Sequence, residues 1–519
     1  MFKTIGRMIV VLMMVAGGHD RLLRAEVRLP GVIGSNMVLQ RDGAAPIWGW
    51  ADPGESVAAT VGEVKLPVVQ AGADGKWLVK IPPQKSGGPI TITVQGTNTL
   101  TLTNVLFGDV WVCSGQSNME MALFKSSNGQ EDAAAADFPN IRLFKVAHKV
   151  APEPQDDCEG RWVECSPQTV RMFSAVGYYF GRDLHQSLNV PVGLVHSAFG
   201  GTPAGAWMPR SVLQANPDFA SILKRADEFP QRYAEQVKLY EVALSKWEKD
   251  SADAKTQGQP EPRKPRPPVA QEKSPVQPGV LYNGMIHPLI PLGIKGVVWY
   301  QGENNAAQAY QYRSLLPALI QSWRQDWGQG DFAFGIVQLP NYMARAEQPG
   351  NAIWAELREA QAMTARQVPN CGLAVTIDLG EEKDIHPRNK HDVGRRLSLW
   401  ALAQVYGQDL VASGPVYEGM KPERGAIRIT FAHAHDGLMA KDGEKLTGFA
   451  IAGEDRKFVW ADARIEGSSV IVSSAQVPNP AAVRYAWANN PQCNLYNKAG
   501  LPAAPFRTDD WPGISDKDK

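Results

Sequence analysis

From about Glu26 to Asn104 the chain alternates short runs in which apolar and polar positions follow each other: MVLQ, APIWGWADPG, SVAATV, KWLVKI and ITITV, separated by Asp-Gly, Pro-Gly and Gly-Gly pairs. A period of two, broken by residues that favour tight turns, suits half-buried strands joined by hairpins, so residues 26–105 are predicted to form a small β-sandwich. The pattern changes near Leu106. Continuous apolar runs, VWVC (110–113), VGLVHS (192–197), IKGVVWY (294–300), FAFGIVQL (332–339) and LAVTIDL (373–379), now alternate with amphipathic stretches at Ala175–Leu188, Tyr310–Trp323, Ile353–Gln367 and His391–Tyr406. Strands apolar on both faces, each followed by a helix, predict an α/β fold class with a parallel sheet over residues 106–410. After Val411 the β-type runs AIRITF, LTGFAIAG, VIVSS and AAVRYAWA return, predicting a β-rich domain or extension over 411–519.

Two segments fall outside this alternation. Residues 211–279 form an insertion whose first half is charged and helical; its second half, QGQPEPRKPRPPVAQEKSPVQPG, is rich in proline and charge and reads as an extended, mobile excursion. At the start, Lys3 and Arg7 precede MIVVLMMVAGG, the charged beginning and short apolar core of a secretory signal. Residues 1–25 are therefore expected to be removed near Ala25, and the protein to act in the periplasm or outside the cell. That apolar core is too short for a membrane span, and no later stretch is long and apolar enough to be one.

Lys plus Arg and Asp plus Glu each number 53, so no net field draws in nucleic acid or an anionic membrane. The cysteines, Cys113, Cys158, Cys165, Cys371 and Cys493, are odd in number and lack the paired spacing of zinc sites. In an oxidising compartment Cys158 and Cys165 are the candidates for a disulfide, with two free thiols in a surface loop as the alternative. Cys113 reads as core filling. His433 and His435 in FAHAHDG share a strand face, but with no third ligand type in a clear pattern they read as surface residues; no metal or cofactor is expected.

Candidate chemistry gathers where predicted strands end. VWVC stops at Gly115 and continues as GQSNMEMAL, which lifts Ser117 out of the sheet to the start of a helix, where unpaired N–H groups favour developing negative charge. After VGLVHS comes AFGGTPAGAW, in which Gly200 and Gly201 allow a backbone amide to approach a ligand. After VVWY comes QGENNA, where Gln301 either projects an amide N–H into the site or bridges loops. After LAVTIDL comes DIHPRNK. There His386 has the side chain that takes a serine proton near neutrality and returns it to a leaving group, and Asp384 is placed to fix its tautomer. The order Ser, Asp, His is compatible with a serine hydrolase.

Together GQSNM, the GGTPxxAW-like spacing, WYQGEN and DIHPxNK resemble the sialate O-acetylesterase-like carbohydrate esterases of the SGNH hydrolase superfamily. The resemblance extends over nearly the whole mature chain, through LPGVIGSNMVLQRD, DGKWLVKIPP, LYNGMIHPLIPLGIKGVVWYQGE and NLYNKAGLPAAPFRTDDWP. It implies a three-layer α/β/α catalytic domain that removes O-acetyl groups without a metal. Ser117 matches the nucleophile and His386 the general base; the Ser117 amide, Gly200, Gly201 and Gln301 match the oxyanion site. Two positions depart from the pattern. The residue three before the histidine is Lys383, which cannot orient an imidazole, so Asp384, Glu382 or Asp378 must do so. Asn304 stands where smaller residues are frequent.

Aromatic and amide side chains suit sugar rings and hydroxyls, which makes Trp207, Tyr282, Asn283 and Asn305 candidates for substrate contact. The expected reaction is hydrolysis of acetyl esters on sialic acids. The alternatives are acetylated polysaccharides such as xylan or, from another class, a non-catalytic carbohydrate-binding protein. Oligomeric state is not legible here.

Overall fold

The computed structural model describes residues 26–434, 437–443 and 445–518. Residues 1–25, expected from the sequence to be a leader, and His435 lie outside the described residues. The protein has a mixed α/β fold built on one large mixed sheet, with additional smaller sheets.

One long strand, Thr99–Gly115 (β1), spans two regions. Its first half pairs antiparallel with Gly87–Gln95, which pairs in turn with Ser56–Val61; Ala45–Trp50 and Lys76–Ile81 form a separate two-stranded sheet nearby. Its second half is the middle of a sheet completed by Phe138–Lys145 (β2), Trp162–Cys165 (β3), Val192–Ala198 (β4), Gly296–Tyr300 (β5), Ala333–Val337 (β6) and Cys371–Ala374 (β7). The order is β3-β2-β4-β1-β5-β6-β7, with every neighbouring pair parallel except β3 against β2. The division at 105/106 thus falls inside a continuous strand.

Val110 to Cys113 are fully buried, as strands covered on both faces must be. Neighbouring residues along β6 face opposite ways. Gly335 meets Trp400 of the helix His391–Trp400, whereas Phe334 meets Trp323 of Ala309–Trp327 edge-on at 6.2 Å. Trp111 of β1 is held by Phe180 of the helix Ala175–Leu188 and by Trp400, with centroids 5.0 and 6.3 Å away. Truncating Trp400 to alanine would cost about 3–5 kcal/mol.

The C-terminal region forms two four-stranded sheets around Ile427, Val470, Phe449, Tyr485 and Phe506, and this core takes in Val375 and Ile377 just beyond β7. Arg358, fully buried on Ile353–Gln367, fastens the two regions by donating to the carbonyls of Leu339, Pro340, Ala488 and Asn489. In the insertion, the helix Phe229–Thr256 carries the charged half. The proline-rich half does not project freely as expected: the Trp247 indole donates to Pro262 O at 2.8 Å and Ser251 Oγ to Glu261 at 2.6 Å, folding it back on that helix. Cys158 and Cys165 are not bonded; both are buried free thiols, and neither lies in a loose surface loop. Among the described residues no helix is long and apolar enough to cross a membrane.

Candidate active site

Strand β1 ends at Gly115, whose φ of +134° and close approach to Tyr300 O of β5 exclude a side chain: a Cβ there would lie 2.1 Å from that oxygen. The chain turns into the short helix Ser117–Glu120. Because β1 lies between β4 and β5, with connections leaving in opposite directions, Ser117 emerges at the switch point where open α/β sheets form their crevice. The loop between β7 and the helix at His391 brings His386 over it, and Ser117 Oγ lies 2.8 Å from His386 Nε2.

Of the three acids considered, Asp384 is the one beside the imidazole. Its Oδ1 accepts the His386 backbone N–H at 2.8 Å and lies 3.6 Å from Nδ1. Asp378 is committed elsewhere, to Arg396 at 2.6 and 2.8 Å and to the Tyr496 hydroxyl at 2.9 Å. Glu382 is exposed and supplies its backbone carbonyl to Met343. Burial pushes the His386 pKa below the ordinary histidine value, and the Lys390 and Lys125 charges add to this against Asp384. The imidazole is thereby held neutral, the state that accepts a proton.

The loop after β4 closes the other side. A Cβ on Gly200 would lie 3.3 Å from Ser117 Cβ, so the backbone runs directly beside the serine. The Gly200 N–H donates to Glu120 Oε2 at 2.8 Å, and the other Glu120 oxygen lies 2.9 Å from His148 Nε2. Burial works against ionisation of Glu120, but the His148 and Gly200 bonds outweigh it and hold the carboxyl below its usual range. The exposed Gly201, at φ +74°, turns its carbonyl to Asn304 Nδ2 at 2.8 Å.

Gln301 is fully buried and saturated. Its Nε2 donates to Thr202 O at 3.1 Å and Asn305 Oδ1 at 2.8 Å, and its Oε1 accepts the Tyr312 hydroxyl at 2.8 Å. With both amide protons engaged, the Gln301 side chain bridges loops here, one of the two roles open from sequence. The four candidate sugar contacts are all buried and carry internal bonds, although Asn305 also lines a cavity beside Asn304. Trp207 is fully buried, donating to Thr202 Oγ1 at 2.9 Å. The Tyr282 hydroxyl donates to Asp326. Asn283 Nδ2 donates to the carbonyls of Ala151 and Pro152, and Asn305 Oδ1 accepts from the Ala204 N–H as well as from Gln301.

Beneath the Ser117–His386 pair lies a polar network that sequence reading missed. Asn118, fully buried, donates to Ile385 O at 3.0 Å and to Glu303 Oε1 at 2.5 Å, and accepts from Lys390 Nζ at 2.5 Å. It therefore links GQSN, QGE and DIHPRNK and grips the residue before His386. Burial raises the Glu303 pKa, partly offset by Asn118 and Lys390; burial lowers that of Lys390 to about 7, partly offset by Glu303. Lys390 also sits 5.1 Å from the Tyr300 ring centroid. The only signal in the sequence was that all these residues belong to the four strand-end motifs.

A serine hydrogen-bonded to a neutral, acid-backed imidazole, beside backbone and side-chain amides, can carry out acyl transfer. Among the described residues no group of three or more His, Cys, Asp or Glu is arranged to hold a metal ion.

Residues 107–254 and 276–401 match the family described as carbohydrate esterase, sialic acid-specific acetylesterase. Sialate O-acetylesterase of Rattus norvegicus is 32% identical, the alignment covering 92% of this chain and 94% of that one; the Homo sapiens protein is 30% identical, with 95% of each covered. The crystal structure of a carbohydrate acetylesterase from Xanthomonas citri superposes with a TM-score of 0.80 at 37% identity, covering 94% of this chain and 100% of that one.

Proposed function

Because this chain belongs to the sialic acid-specific acetylesterase family of carbohydrate esterases and is an ester hydrolase, we propose that it removes O-acetyl groups from sialic acids through an acetyl-enzyme on Ser117. The observation that carries this reading is the 2.8 Å contact between Ser117 Oγ and His386 Nε2. Ser117 Oγ attacks the acetyl carbonyl carbon as its proton passes to Nε2. The tetrahedral intermediate collapses, the ester C–O bond breaks, and the sugar oxygen leaves with that proton. Water, deprotonated by the same nitrogen, then attacks the acetyl-serine; the bond from the acyl carbon to Oγ breaks, the proton passes from Nε2 back to Ser117 Oγ, and acetate is released. Asp384 steadies the imidazolium.

The oxyanion is held by the Ser117 N–H, the Gly200 N–H and the second amide proton of Asn304. Gly200 already binds an anionic oxygen, that of Glu120, which gives up this amide and stays with His148 when the ester enters. Asn304 takes the place first considered for Gln301, since it is exposed at the rim and spends one proton on Gly201 O. We assign the central sheet and its two helix layers to the three-layer SGNH arrangement, and place the enzyme's action in the periplasm or outside the cell.

The test is acetate release from O-acetylated sialic acid by the wild-type chain and by Ser117→Ala. Release by wild type alone supports the reading, and equal release by both overturns it. Acetylated polysaccharide is the second reading, favoured by the groove described next.

A further inference from the structure

Two neighbouring cavities beside Asn304 make up a groove at the base of the insertion. Its first cavity, about 190 Å³, has Asn304 and Gln308 on one side and Arg225, Phe229 and Val276 on the other. Its second, about 520 Å³, continues past Gln308 to Tyr310, Gln311, Asp218 and Ser221. Gln308 lines both, and Asn304, the proposed oxyanion residue, lines the first.

The lining has a definite chemistry. Phe229 is half-buried and stacks on Tyr233 one helical turn later, with centroids 6.2 Å apart and planes at 12°, which fixes its ring. Tyr310 carries the Arg313 guanidinium on its ring at 4.8 Å. Gln311 is anchored through Nε2 to Asp218 O and Ser221 Oγ, while its Oε1 is buried with no protein partner. Of the cations nearby, Arg232 lies 3.7 Å from Glu228 and Arg313 pairs with Glu359 at 2.6 Å, while Arg225 and the Asp218 carboxylate add one charge of each sign to the lining. Rigid aromatic rings, amides and hydroxyls without surplus charge match the alternating apolar faces and hydroxyl edges of sugar rings better than an anionic group or an apolar chain.

We propose that this groove binds the sugar units attached to the acetylated one, so that the substrate is an acetyl-bearing glycan chain and not a free acetylated sugar. This rests on the esterase reading above for the position of the acetyl group, and it identifies Phe229 and Tyr310 as specificity-determining residues that touch no reacting atom.

The experiment compares kcat and KM on free O-acetylated sialic acid against O-acetylated sialyllactose, and on acetylated xylose against acetylated xylotetraose, for the wild-type chain, Phe229→Ala and Tyr310→Ala. In whichever series is the better substrate, wild type should favour the longer member about tenfold in kcat/KM. Each variant should lose most of that preference through KM, with hydrolysis of 4-nitrophenyl acetate unchanged. Equal kcat/KM for short and long members, or variants that keep the wild-type KM on the longer one, overturns the proposal. Calorimetric binding of deacetylated sialyllactose and xylotetraose to Ser117→Ala decides the matter independently of turnover and of variant folding. Binding of one oligosaccharide but not its monosaccharide supports the groove, and binding of neither overturns it. If wild type fails to hydrolyse 4-nitrophenyl acetate, it is the esterase reading that falls, and the binding result still judges the groove.

Discussion

Strands β1 and β5 lie side by side in parallel register, Gly115 opposite Tyr300, yet the side chains that follow them take opposite paths. After β1 the chain swings into a short helix and leaves Ser117 Oγ against the His386 nitrogen that would take its proton. After β5 the Gln301 side chain turns inward, and its nitrogen and oxygen are bonded to Thr202, Asn305 and Tyr312. Adjacent motif residues at the same level of one sheet therefore divide the work. One is free to react, and the other holds the loops around it. Hydrogen-bond saturation, more than motif membership, separates these roles.

The comparison breaks most visibly at the serine. Ser117→Ala should reduce acetate release by about four orders of magnitude or more while thermal unfolding stays at the wild-type temperature, since a rim hydroxyl is lost and nothing buried is stranded. Asn304→Ala comes next, with kcat falling about a hundredfold to a thousandfold and KM little changed, the usual effect of removing one oxyanion donor. Gln301→Ala should behave differently. It strands the Tyr312 hydroxyl and the Thr202 carbonyl, at about 1–3 kcal/mol each, so its first sign is a lowered unfolding temperature. A Gln301→Ala protein as stable as wild type that loses as much kcat as Asn304→Ala would erase the distinction drawn here.

Smaller effects sharpen the account. Asp384→Asn should cost about tenfold to a hundredfold in kcat, less than a deeply buried triad acid, because Asp384 is half exposed and 3.6 Å from Nδ1. The pH profile follows from the lowered His386 pKa. The base works only when deprotonated, so kcat/KM rises with pH through that pKa, and a depressed value puts the acid limb below the ordinary histidine range. Removing a neighbouring cation makes the imidazolium easier to form. Lys125→Met should therefore move the acid limb to higher pH, by about a few tenths of a unit for an exposed, screened charge; a shift to lower pH would show that Lys125 does not act on His386 in this way.

Much of this was legible in the chain because strong local patterns were also the right global ones. The helices Ala175–Leu188 and Ile353–Gln367 fall where their periodicity puts them, and the strand-end motifs do converge on Ser117 and His386. Strand β2 escaped notice because Arg142 breaks its apolar run; that side chain is buried only because the carbonyls of Pro139, Asn36 and Asn104 receive it. The internal bonds of the sugar-contact candidates were hidden for the same kind of reason. An aromatic ring or amide near a motif looks alike whether it faces ligand or core, and long-range partners such as Asp326 for Tyr282 decide which. Asn118, Glu303 and Lys390 were inconspicuous because a buried ion–amide chain has no local pattern. Glu120 reads from sequence as an ordinary acid in a helix's first turn and is found on the Gly200 amide.

Whether Ser117 is the group that reacts can be read from rapid acid quenching of the enzyme during turnover of 4-nitrophenyl acetate, followed by peptide mass analysis. The account predicts one acetyl group on the peptide carrying Ser117, absent in Ser117→Ala and strongly reduced in His386→Ala. An acetyl group trapped on another residue, or steady turnover by Ser117→Ala, would contradict it.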